Sequence, residues 1–235
     1  MSGEFRVGSE LNEESEGAKI LHPKSGYELY FLYEKKLEHP DFKLHFKIPL
    51  DSSTAEPENR KMLVTERDYS AYPLKLRKLF ADIWRRGEIV QYVEVGPGLG
   101  GFIDYASDYA FDVGAPKPIA IDLVNYSLLG EMLECARNLD LKYLSKNSAL
   151  GVRVNERFDT LVDRCRIILD SERVCFYNMD IREAVNNVEG LVGCADVVID
   201  NFGPCLYTGT EKNVMKLEKK LSAPWGVFFV NDGKG

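Results

Sequence analysis

The run Val93-Glu94-Val95-Gly96-Pro97-Gly98-Leu99-Gly100-Gly101 constrains this chain more than any other segment. It closes an apolar stretch, Ile89–Val95, that reads as a strand, and it opens a helical pattern over Gly101–Tyr109. Glycines at a strand-to-helix turn let the backbone adopt positive φ and come close to a ligand where a Cβ would clash. The helix start behind them offers N–H groups with no intrahelical partner. A bare tight turn would need fewer glycines, so the pattern predicts a ligand cradle at the first crossover of an α/β sheet.

The rest of the chain fits that placement. An amphipathic helix is predicted over Pro73–Arg86, with Leu76, Leu79, Phe80, Ile83 and Trp84 apolar and Gly87 as its stop. Beyond the glycine turn, strands and helices alternate. Strands are expected at Pro118–Asp122, Arg173–Asn178, Asp196–Ile199 and Gly226–Val230, and helices at Leu128–Leu139, Asn155–Leu169, Arg182–Val192 and Thr210–Leu221. Five strands separated by helices predict a doubly wound, mostly parallel α/β sheet with right-handed crossovers.

The N-terminal 66 residues have a different texture. Residues 1–17 carry five Glu in the first sixteen positions and read as a disordered acidic tail. Within residues 18–66, Phe42, Leu44, Phe46 and Ile48 alternate with Lys43, His45 and Lys47, the period of a half-buried strand. A β-containing extension is expected there, with residues 67–235 forming the sheet domain. The extension is also expected to cover the sheet edge beyond the fifth strand.

Composition narrows the function classes. A net charge of -7 supplies no global basic field to gather nucleic acid, although Lys75–Arg86 is locally basic. Five scattered cysteines without a C-x-x-C pair point to a reducing, cytoplasmic setting, and the three histidines have no metal-ligand spacing. No apolar run approaches the length that spans a bilayer, so no membrane partner is expected.

Two ligand classes compete for the turn. Gly96, Gly98 and Gly101 satisfy G-x-G-x-x-G, the dinucleotide pattern of NAD(P) oxidoreductases. Glu94 favours a different ligand. A carboxylate two residues before the first glycine can receive an ammonium group, whereas it would repel a pyrophosphate. Glu94-Val95-Gly96-Pro97-Gly98-Leu99-Gly100 resembles the first motif of class I, Rossmann-like S-adenosylmethionine-dependent methyltransferases, and the strand–helix order from Ile89 to Val230 is similar to theirs.

That resemblance implies a cofactor site made by Glu94, Gly96, Pro97, Gly98 and Gly100, with Asp122 and Leu123 at the ribose and Asp180 and Ile181 at the adenine. Asp122 and Asp180 each precede a predicted helix, so a helix-capping role is the competing reading for both. At the end of the fourth strand, Asp200-Asn201-Phe202-Gly203-Pro204 loosely resembles the segment that holds the target nitrogen in amine-methylating relatives, or is a plain turn.

The segment from Arg67 to Leu76, together with Glu94, also resembles RNA ribose 2′-O-methyltransferases. That family's Lys-Asp-Lys-Glu tetrad would begin at Lys75 and continue at Asp200 or Asn201, while the third position reads Asn231. Lys75 is equally readable as a solvated helix cation. Asn201, Asp200 and Lys75 are thus the candidate catalytic residues, and the methyl acceptor is either RNA or a protein or small-molecule amine. A methyltransferase-like domain that binds a partner without chemistry is the remaining alternative.

Overall fold

The computed structural model describes residues 5–11, 15–34, 42–49, 61–67, 69–139, 149–201 and 211–231. Phe202, Gly203 and Pro204 lie outside them. The chain divides into two compact units, one of Met1–Glu66 with Tyr126–Cys165 and one of Arg67–Asn125 with Arg166–Gly235.

The first unit is built on an antiparallel meander of β1 (Arg6–Leu11), β2 (Ser15–Leu21), β3 (Glu28–Glu34), β4 (Phe42–Pro49) and β5 (Lys61–Arg67). Register sets Ala18 opposite Phe31, Ile20 opposite Leu29, Leu29 opposite Phe46 and Phe31 opposite Leu44. All six are buried, so the alternation read from the sequence gives one apolar face. Helix α3 (Tyr126–Arg137) and most of α4 (Ala149–Leu169) belong to this unit. Phe158 of α4 meets Phe31 edge-on at 5.3 Å.

Three expectations change here. Residues 6–11 and 15–17, expected within a disordered tail, belong to strands β1 and β2. Their acidic residues disguised them, yet β1 pairs with β2 along its whole length, from Arg6 opposite Leu21 to Leu11 opposite Glu16. Residues 126–165 group with the N-terminal strands instead of with the rest of 67–235. The N-terminal strands also pair with one another and do not extend the parallel sheet.

The second unit is an α/β layer structure, consistent with a Rossmann-like fold. Its sheet is all parallel, in the order β11 (Ser222–Asn231), β10 (Ala195–Asn201), β6 (Tyr92–Val95), β8 (Ile119–Asp122), β9 (Cys175–Asn178). A two-residue extended segment, β7 (Leu99–Gly100), lies within the glycine turn. The chain runs outward from β6 to β8 and β9, then returns across β6 to β10 and β11.

Helices cover both faces. On one, Leu76, Phe80 and Ile83 of α1 (Leu74–Arg86) and Phe102 and Tyr109 of α2 (Phe102–Val113) pack with Tyr92, Val197 and Ile199. On the other, α5 (Ile181–Asn187) and α6 (Glu211–Leu221) bring Ile181, Ala184, Val214 and Leu221 to Val93, Val95 and Val198. Helix α1 stops at Gly87 as the sequence predicts: its φ of 63° lets its N–H reach back to the carbonyls of the last turn. No helix among the described residues is long and apolar enough to cross a membrane.

Candidate functional site

Strand order reverses between β6 and β10, and open α/β sheets bind ligands at the C-terminal ends of strands beside such a reversal. The glycine turn leaves β6 at that point. Gly96 and Gly98 have φ of 64° and 55°, which only glycine adopts without strain. Three amides then fix the loop. Gly96 N donates to Ile121 O at 2.8 Å, Gly100 N to Pro97 O at 2.8 Å, and Gly98 N to Asp122 Oδ2 at 3.0 Å.

Glu94 is the third residue of β6 and is 2% exposed. Val93 and Val95 face the α5–α6 layer, so strand alternation turns Glu94 toward α1 and α2 with Tyr92. There Tyr72 Oη donates to Glu94 Oε1 at 2.7 Å. Tyr72 belongs to an aromatic group in which its ring lies 5.4 Å from Phe102, and Tyr69 lies 4.5 Å from the exposed Tyr105. Burial pushes the Tyr69 phenol above its usual pKa.

Asp122, the last residue of β8, is 6% exposed. Besides Gly98 N, its carboxylate accepts from Val124 N at 3.1 Å. It therefore ties the glycine loop to the turn after β8. Leu123 beside it is exposed. Asn178, at the end of β9, donates through Nδ2 to the carbonyls of Asp122 and Val124 at 2.9 and 3.0 Å. Asn178 belongs to no motif, and a polar residue ending a strand is its only signal in the sequence.

Asp180 caps α5. Its Oδ1 accepts from Arg182 N at 2.7 Å, and the Arg182 guanidinium folds back on the same carboxylate at 3.0 and 3.3 Å. Ile181 is buried under α5. Asp200 and Asn201 are buried at the end of β10. Ile199 stands opposite Glu94 in register, so these two residues continue one and two positions past it on the neighbouring strand. Lys75 is exposed on the first turn of α1, and no hydrogen bond or ion pair joins it to Asp200 or Asn201.

Glu94, the loop of Gly96–Gly100 and Asp122 thus converge, with Asp200 and Asn201 on the adjacent strand end. The donor set tests the two ligand classes. The amides of Gly96, Gly98 and Gly100 are all engaged within the chain, and two carboxylates lie beneath and beside the loop. A pyrophosphate needs free amides and no adjacent anion. A ligand with an ammonium group and a diol matches carboxylate acceptors.

No protein-family model and no curated protein matches this chain.

Proposed function

We propose that the chain is an S-adenosylmethionine-dependent methyltransferase. The observation that carries this reading is a glycine loop at the strand-order reversal whose amides at Gly96, Gly98 and Gly100 are spent and whose base is a buried glutamate. When bound, S-adenosylmethionine supplies a methyl group on a positively charged sulfur. Glu94 would hold its ammonium group, Asp122 and Leu123 would line the ribose, and Asp180 with the backbone of Ile181 would face the adenine.

Transfer is a direct displacement: the acceptor's lone pair forms the new bond to carbon while the sulfur keeps the old bonding pair. The protein's task is alignment and exclusion of water. Asp200 and Asn201 stand where an acceptor oxygen or nitrogen would be oriented. For a hydroxyl acceptor, Asp200 would take the proton and the Lys75 ammonium would orient the hydroxyl, and Lys75→Ala would then abolish turnover on RNA with cofactor affinity intact. Retained turnover removes the RNA assignment of Lys75.

A second reading has its own support. Glu94 already accepts from Tyr72, and Asp122 from two backbone amides, so the loop is held without a ligand. A methyltransferase-like domain that binds a partner and does no chemistry would look the same. Calorimetric titration separates the two, with S-adenosylmethionine, its demethylated product and NAD as ligands. Micromolar binding of the two adenosyl-sulfur ligands alone is expected. Binding of NAD alone would overturn the assignment in favour of an oxidoreductase, and binding of none would favour the partner-binding domain.

A further inference from the structure

Tyr72 stands between the buried glutamate and the glycine turn. Its Oη donates to Glu94 Oε1 at 2.7 Å. The same oxygen lies against Gly100, where a Cβ would come within 2.2 Å of it. The phenol therefore fills the space between carboxylate and loop, and Gly100 makes room for it by having no side chain. Tyr72 and Glu94 are each 2% exposed, so the carboxylate is sealed from solvent while the ring is in place.

An ammonium group that uses Glu94 as its acceptor must take that same space. A phenol O–H and an ammonium N–H make the same kind of contact with a carboxylate, a hydrogen bond strengthened by charge. The carboxylate oxygen has a second lone pair, so sharing is limited by room rather than by acceptor capacity. With Oη pressed against Gly100, the loop side of Glu94 Oε1 holds one donor and not two.

The mounting of the ring suits it to move. Tyr72 lies within neither helix nor strand, between a short 3-10 turn at Tyr69–Ala71 and Pro73, which caps α1. Its N donates to Tyr69 O at 3.2 Å, and Arg77 Nε donates to its carbonyl at 3.0 Å. Its ring touches Phe102 and Tyr69, at centroid distances of 5.4 and 6.5 Å. A connector of this kind can rearrange without breaking a helix or sheet ladder.

We propose that Tyr72 gates the cofactor site: in the ligand-free chain its hydroxyl holds the place of the methionine ammonium, and S-adenosylmethionine or its demethylated product displaces it on binding. This rests on the reading of Glu94 as the ammonium's acceptor. The gate makes the site selective, because a ligand without an ammonium offers Glu94 nothing in exchange for the phenol. It also lowers the apparent affinity, since only the opened fraction of the protein can bind.

Calorimetric titration of the 235-residue chain, of Tyr72→Phe and of Glu94→Gln tests this. The ligand is the demethylated product, and the control is 5′-methylthioadenosine, which keeps the adenosine and sulfur but lacks the amino-acid part. Tyr72→Phe keeps the ring and vacates the ammonium's place, so it should bind the product roughly tenfold more tightly, with the control unaffected. Glu94→Gln should bind the product more weakly. Hydrogen exchange on the unmodified chain needs no variant: amides of residues 69–72 should exchange faster with the product bound and at an unchanged rate with the control. Product binding that Tyr72→Phe leaves unchanged or weakens overturns the gate and spares the cofactor reading, as does exchange at 69–72 that the product leaves unchanged or slows. Product binding that Glu94→Gln leaves intact, or no product binding at all, overturns the cofactor reading and the gate with it.

Discussion

Tyr72 and Glu94, 22 residues apart, meet in the interior through a 2.7 Å hydrogen bond from phenol to carboxylate. Both are 2% exposed. Tyr92 stands in the same aromatic cluster and is equally buried, yet its hydroxyl has no hydrogen-bond partner among the described residues. Burial pushes its pKa upward, with the neighbouring Tyr109 adding to the shift, so it stays a neutral, unsatisfied phenol.

The same substitution should therefore act with opposite sign at the two positions. Tyr72→Phe deprives the buried Glu94 Oε1 of this donor and should cost about 1–3 kcal/mol of stability. Tyr92→Phe removes an unpaired polar group and should be neutral or stabilising by about 1 kcal/mol. Urea denaturation of both variants checks the pair, and equal losses would contradict the assignment of Glu94 to Tyr72.

Gly100 sits where a Cβ would come within 2.2 Å of Tyr72 Oη and 2.7 Å of Pro97 O. Gly100→Ala must push the loop away from Tyr72, an overpacking cost of about 1–3 kcal/mol. Gly130 is the contrasting case. It lies inside α3, where a Cβ would make ordinary contact with Cys165 at 3.7 Å. Gly130→Ala should stabilise by about 0.5–1 kcal/mol through helix propensity. Melting temperatures moving in opposite directions are the expected result.

The parallel sheet was legible because each of its strands is a short apolar run flanked by a helical period, and the glycine turn fixed where the first crossover lies. Strands β1 and β2 were not legible. Composition alone marks Glu10, Glu16 and their neighbours as a solvated tail, and only pairing with β3 reveals the strands. The grouping of 126–165 with the N-terminal sheet was hidden for a related reason. An amphipathic helix declares its apolar face but not which sheet that face will meet. At the site, Glu94 and Asp122 could be singled out by position. That Tyr72 donates to one and Gly98 to the other is a long-range contact with no local signature.

Cys165 of α4 gives a pH dependence with a definite sign. Burial raises its thiol pKa from 9.0 to about 12. Between those values the unfolded chain releases the proton and the folded chain keeps it. The thiol's contribution is therefore intact below pH 9.0 and is lost as pH rises toward about 12. The slope approaches about 1.4 kcal/mol per pH unit within that window. Cys165→Ala should be less stable at neutral pH because it leaves a small void, but its stability should decline less steeply above pH 9. Denaturant midpoints taken through the alkaline range check this, and parallel curves for the two proteins would contradict it. Over the same range Cys165 should resist alkylation in the folded state.

Asp122 is asked to do two things, and they can be measured apart. As a clamp, its carboxylate receives Gly98 N and Val124 N, so Asp122→Ala should lower stability whether or not a ligand binds. As a ribose acceptor it would also use its remaining lone pairs on the diol, and Asp122→Ala should then weaken adenosyl-ligand binding by about 1.5–3 kcal/mol. Loss of affinity alone does not separate the roles, because a loosened loop would bind poorly as well. A ligand lacking the ribose 2′-hydroxyl does separate them. If Asp122 accepts that hydroxyl, the unmodified protein discriminates against the deoxy ligand and Asp122→Ala does not, leaving a coupling energy in the double cycle. If Asp122 only clamps the loop, both proteins treat the two ligands alike, and the acceptor for the diol must be sought elsewhere at the strand ends.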